Sequence, residues 1–130
     1  MKAINPKLQL SAAVFGSYPA CVHSVAQDWA SWIEAGLVDF VCPMNYTPDV
    51  ETFEKWVTEQ HALKRAKGRV VPGIGIRAKE SYLDPVDTLE QLKVVRKLGA
   101  PGYVLFELRS DVPREILYVM SIRATRPTQP

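Results

Sequence analysis

The chain has 130 residues, 47% of them apolar, which suffices for one domain around one hydrophobic core and is too apolar for disorder. Its formal net charge is +2 with the two signs interspersed, so nucleic acid is not expected as a partner, and Lys64-Arg65-Ala66-Lys67 reads as the solvated cationic end of a helix. No stretch approaches ~18 consecutive apolar residues, which excludes a membrane-spanning helix. Residues 1–7 lack the apolar core of a signal peptide, which keeps the chain as given in the cytoplasm unless further sequence precedes it. Cys21 and Cys42 are too few for a disulfide scaffold and lack ligand spacing, so neither a metal site nor a cofactor is expected.

The first strand is predicted over residues 8–15, where Leu8, Leu10, Ala12 and Val14 alternate with Gln9, Ser11, Ala13 and Phe15. Gly16-Ser-Tyr-Pro19 ends it, and a loop through His23 leads to a helix over 25–35 with Trp29, Trp32 and Ile33 on one face. Gly36 is the natural stop. A second strand over 38–44 runs into a polar, aromatic rim, Met44-Asn45-Tyr46-Thr47. Thr47 and Pro48 are the expected cap and first position of a second helix, whose buried stripe is Phe53, Trp56, Val57 and Leu63 and whose stop is Gly68.

The third strand, 69–77, contains Pro72 and two glycines, which fit best where strands curve or side chains must stay small. Asp84-Pro85 opens the third helix, with Val86, Leu89, Leu92 and Val95 or Leu98 as its apolar stripe and Gly99 as its end. The fourth strand covers 102–108. Asp111 and Pro113 open a last helix carrying Ile116, Leu117, Val119 and Met120. The domain is expected over residues 1–125, with 126–130 a frayed tail.

Strand starts near Leu8, Val38, Val70 and Tyr103 recur about every 30 residues, the rhythm of right-handed βαβ crossovers and a parallel sheet. Four such units make either a small doubly wound sheet or the (βα)4 half of a TIM (β/α)8 barrel. Two features favour the half-barrel. Alternate positions on the first and third strands begin small and end large or charged (Ser11, Ala13, Phe15; Gly73, Gly75, Arg77), as a closed interior with a working rim requires. The first strand also lacks the glycine-rich turn expected of a nucleotide-binding sheet.

Ligands bind at the C-terminal ends of the strands in either architecture. The candidates there are Phe15, Ser17, Tyr18 and His23; Met44, Asn45 and Tyr46; Arg77 and Lys79; Glu107 and Arg109. A rim of aromatics, an amide, guanidinium groups and one carboxylate suits a sugar, because aromatic faces pack on apolar ring faces while polar groups bind hydroxyls. Glu107 alternates with Tyr103 and Leu105 and so is expected on a buried face, where a carboxylate is paired with Arg109 or Arg77 or is functional. Asp39 lies at the opposite, stability end of its strand.

Ser11-Ala-Ala-Val-Phe15, Gln27-Asp-Trp29 with Trp32, Gly36-Leu-Val-Asp-Phe-Val-Cys-Pro-Met-Asn-Tyr-Thr47 and Pro72-Gly-Ile-Gly75, in that order, closely resemble the later part of the glycosyl-hydrolase-like family 10 proteins, glycoside hydrolases with a TIM-barrel domain. The resemblance covers residues 8–108. It implies that these strands are the last four of a barrel and that Asn45, Tyr46 and Arg77 contact sugar. The family's earlier half carries a strand ending in aspartate followed by tyrosine, arginine and proline-rich sequence, and nothing here matches it. Met1 stands a few residues before the first strand, so a truncated fragment or a short natural relative is expected.

Glycoside hydrolysis needs two carboxyl groups, about 5–5.5 Å apart for retention or about 6.5–9.5 Å for inversion. Only Glu107 lies on a strand end, as the single catalytic candidate, while capping explains Asp49, Asp84 and Asp111. The expected function is therefore part of the sugar-binding cleft of a hydrolase acting on a poly- or oligosaccharide, inactive alone. The alternatives are a non-catalytic carbohydrate-binding or self-associating half-barrel, or a small α/β domain for a phosphorylated metabolite. The expected partners are a carbohydrate and either the missing barrel half or a second copy. Proteins of the family are commonly extracytoplasmic.

Overall fold

The alternation of the first predicted strand becomes a ladder only from Ser11. In the computed structural model, which describes residues 3–123, β1 is Ser11–Phe15. Leu8 and Leu10 stay exposed ahead of it. Asp39 ties this lead-in down: its Oδ2 accepts from the Leu10 amide at 2.7 Å and its own amide donates to Leu10 O at 2.7 Å. The stability-end reading of Asp39 agrees with this geometry.

The helix expected over 25–35 forms only from Trp29, and the loop expected before it holds a short helix of its own. Helix α1 is Ala20–Val25 and α2 is Trp29–Glu34, separated by Ala26 in the left-handed region at φ 55°. The break arises because Asp28 is a cap: its carboxylate accepts from the Ser31 amide at 3.3 Å and starts a new helix. Gly36 ends the segment at φ +69°, the conformation that only glycine adopts without steric cost.

Strand β2 is Phe40–Met44 and α3 is Val50–His61. Asp49 caps α3, accepting from Thr52 N at 2.7 Å, where Thr47 was expected to do so; Thr47 instead accepts from the Asp49 amide at 3.1 Å and shapes the turn before it. Phe53 and Val57 are buried as predicted, whereas Trp56 is partly exposed. Strand β3 shrinks to Gly73–Gly75, because Pro72 has no N–H to extend the ladder. Val70 and Arg77 make only isolated bridges on either side, to Val41 and Tyr82.

Helix α4, Pro85–Lys97, starts as the sequence foretells, with Asp84 accepting from Val86 N and Asp87 N at 2.7 and 2.8 Å. Its buried face is Leu92 and Val95 with the polar Thr88 and Gln91, and Val86 faces solvent. Strand β4 is Val104–Phe106, followed by a π turn over Pro113–Leu117 and helix α5, Tyr118–Arg123. Ile116 and Met120 are buried there and Leu117 is exposed. The tail 126–130 lies outside the described residues.

The four strands form one parallel sheet in the order β1-β2-β3-β4, with Phe15 opposite Met44 and Gly75 opposite Phe106 at the C-terminal ends. Right-handed crossovers in unbroken order place every helix on the same face. Burial follows: Val14 and Val41 pack with Trp29 and Ile33 in one core cluster, and Ile74 packs with Phe53, Leu92 and Ile116 in another. The other face carries no helix: it is open on β1 and β4, while Gly73 and Gly75 between them lie under Tyr46. Phe15 is 47%, Val104 39% and Phe106 42% exposed, and Ser11 and Ala13 are open beside them. A doubly wound sheet reverses its strand order and covers both faces; this one does neither.

Candidate functional site

The C-terminal end of β1 is positioned by the Gln27-Asp28-Trp29 motif. Gln27 Oε1 accepts from the Phe15 amide at 2.9 Å, and the Trp29 indole donates to Phe15 O at 3.2 Å. Asp28, between them, accepts from the Tyr18 hydroxyl at 3.0 Å. Its hydrogen bonds with Ser31, helped by that from Tyr18, hold its carboxyl below the ordinary value. The motif fastens the loop after β1 from below and leaves the Phe15 ring free above the sheet.

The end of β2 is positioned by an amide pair. Asn45 is wholly buried: its Nδ2 donates to Gln60 Oε1 at 3.1 Å, and Gln60 Nε2 donates back to Asn45 Oδ1 at 2.7 Å and to Gly16 O at 2.7 Å. A side chain on Gly16 would collide with Asn45 Oδ1, so glycine is needed where the three segments meet. Tyr46, turned the other way, lies over β3. A Cβ on Gly75 would come within 2.9 Å of its ring, and one on Gly73 would meet Pro43 O at 2.7 Å. The ring also stacks on Phe106, with centroids 5.2 Å apart and planes 12° from parallel. Burial, with the charges of Cys42 and Glu80, raises the Tyr46 pKa, so the hydroxyl stays protonated at neutral pH.

Between these two strand ends lies a cleft of about 300 Å³. Phe15, Gly16 and Ser17 form one wall, Met44 and Tyr46 the floor, and Trp56 of α3 with Glu80 of the loop after β3 the far side. Of the residues expected to touch a ligand, Phe15, Ser17, Met44 and Tyr46 are therefore brought together. Trp56 and Glu80 were missed: the helical stripe read Trp56 as core, and no pattern marks a glutamate in a loop.

The other candidates lie elsewhere. Asn45 spends its amide on Gln60 rather than on the cleft. Tyr18 packs on Trp29 at 4.8 Å between centroids, and Arg65 donates to its hydroxyl at 3.1 Å. Arg77, 2% exposed, reaches away from the cleft toward the C-terminal segment, donating to Asp111 at 2.6 Å, Glu115 at 2.8 Å and the carbonyls of Ile76 and Leu83 at 2.8 Å. Its hydrogen bond lowers the Asp111 pKa. His23 and Lys79 are exposed. Glu107 follows a cis peptide after Phe106, is partly exposed rather than buried, and pairs with Arg109 at 2.6 Å. It does not line the cleft.

Among the described residues no group of three or more His, Cys, Asp or Glu could hold a metal ion, and no helix is long and apolar enough to cross a membrane. What the geometry defines is an α/β protein built on a four-stranded parallel sheet, helices on one face, with an aromatic cleft at the C-terminal ends of the first two strands. No family model, curated protein or solved structure matches the chain.

Proposed function

We propose that the chain is one half of a (β/α)8 barrel of glycoside-hydrolase type and supplies part of its sugar cleft. The observation that carries this reading is the cleft itself: three aromatic side chains and few polar ones, at the sheet end where α/β folds bind ligands. The unbroken strand order with one uncovered face supports a barrel half over a doubly wound sheet. Phe15, Tyr46 and Trp56 give platforms for the apolar faces of a saccharide, and Ser17 and Glu80 accept from its hydroxyls. Glu80 is the lone carboxylate in the cleft, and cleavage by a carboxyl pair needs a second from the other half. The isolated chain binds and does not turn over.

The test is a titration with neutral oligosaccharides of several linkages, followed through tryptophan fluorescence. Trp29 is fully buried and Trp32 lies on α2 outside the cleft lining, so a ligand-induced change reports Trp56 in the cleft. Tyr46→Ala, followed the same way, and Trp56→Ala, followed by calorimetry because the reporter is removed, are each expected to weaken binding about tenfold, a stacking contact of about 1–2 kcal/mol. Failure of every saccharide in the panel to bind removes the reading. Hydrolysis by the isolated chain, lost in Glu80→Gln or Glu107→Gln, removes its claim of incompleteness.

A second reading follows from the sheet edges. Among the described residues neither β1 nor β4 pairs with a further strand on its outer side, and the two point the same way. The β4 edge of one copy can therefore pair in parallel with β1 of another around a twofold axis, closing a barrel from two identical halves.

A further inference from the structure

The cleft has an electrostatic character that sugar binding alone does not require. The face of an aromatic ring is its negative side, and three aromatic side chains, Phe15, Tyr46 and Trp56, line the cleft. Its single ionisable carboxylate, Glu80, has no ion-pair partner among the described residues. No lysine or arginine lines it, although the chain as a whole carries a net charge of +2. The charge of Glu80 is also felt at the Tyr46 hydroxyl, after the larger effect of burial and that of Cys42, which places the carboxylate beside the floor of the cleft.

Resting on the sugar-cleft reading, we propose that the cleft selects a saccharide unit bearing a free amine, held as an ammonium between the aromatic side chains and the Glu80 carboxylate. The face of an aromatic ring attracts a cation, more strongly as water is excluded. An uncompensated carboxylate then gives the ammonium a charge-assisted hydrogen bond. Ser17 adds a further acceptor. These acceptors favour a primary ammonium, which donates three hydrogen bonds, over a quaternary one, which donates none. A carboxylated or phosphorylated sugar meets repulsion from Glu80 with no cation to offset it.

The experiment compares the full chain's affinity, by calorimetry at pH 6 and low salt, for a β-1,4-linked glucosamine tetramer and for its fully N-acetylated counterpart, with choline as a third ligand. The amine tetramer is expected to bind about tenfold more tightly, equivalent to one good cation contact. Glu80→Gln, at an exposed loop position, is expected to abolish most of that preference by weakening the amine tetramer far more than the acetylated one, and circular dichroism checks that the variant is folded. Equal affinity for the two tetramers, or a preference that survives Glu80→Gln, overturns the ammonium assignment and leaves the sugar cleft standing. Choline binding more tightly than the amine tetramer overturns the saccharide part. Binding of neither tetramer overturns both readings.

Discussion

Asn45 shows how a rim residue can serve the site without touching a ligand. Its amide and that of Gln60 are closed on each other, and the spare Gln60 hydrogen goes to Gly16 O, so one pair joins the ends of β1 and β2 to α3. Both side chains are buried, and removal of one leaves the other without its partner. Asn45→Ala is therefore expected to cost about 1–3 kcal/mol, read as a lower urea midpoint with an unchanged slope. Saccharide affinity of the folded variant should change little. The opposite result, unchanged stability with lost affinity, assigns Asn45 to the ligand. Arg77 teaches the same lesson at the end of β3. A guanidinium at a strand end reads from sequence as a rim group, but Asp111 and Glu115, more than thirty residues later, take it into the packing of the last helix. Sequence shows residue type and strand position; it does not show which distant carboxylate will claim the charge.

At the scale of elements, the sequence is most legible where local chemistry decides. Asp84-Pro85 starts α4 where a side-chain cap and a first-turn proline require it, and Gly36 and Gly99 stop helices through a backbone conformation of their own. It is least legible where tertiary contacts decide. Asp28 starts α2 later than the expected Val25, because its side-chain cap fixes the first turn there. Trp56 leaves the core although it keeps the period of Phe53 and Val57, because α3 overhangs the end of the sheet. The glycines of β3 carried a signal that only the structure completes: they are small because Tyr46 lies on them. Gly75→Ala would press a methyl into that ring and into Ser81 Oγ, which donates to Gly75 O at 2.6 Å. Overpacking of this kind typically costs about 1–3 kcal/mol. Gly75→Ala is expected to lower stability by that amount in denaturant titration and, by lifting the cleft floor, to weaken saccharide binding as well. A variant as stable as the parent would show that the Tyr46 ring moves freely off the strand.

For the whole molecule, the decisive fact is an asymmetry: one face of the sheet is packed under helices and the other is not. Parallel sheets are ordinarily covered on both faces, since their strands have no polar side to give to water. Here Ala13, Phe15, Val104 and Phe106 face outward, between two edges that pair with no further strand among the described residues. Such a surface favours association, through the apolar face and through edge pairing alike. The isolated chain is expected to self-associate at micromolar concentration, visible as species heavier than 14.6 kDa in sedimentation velocity. Placing like charges on the open face, in the double variant Ala13→Glu with Val104→Glu, should shift the distribution toward monomer. Val86→Lys, at an apolar residue equally open to solvent but on α4, should leave it unchanged. A monodisperse parent monomer would mean that water alone is an adequate neighbour for this face, and the half-barrel reading would lose the physical argument that most sets it apart from a free-standing domain.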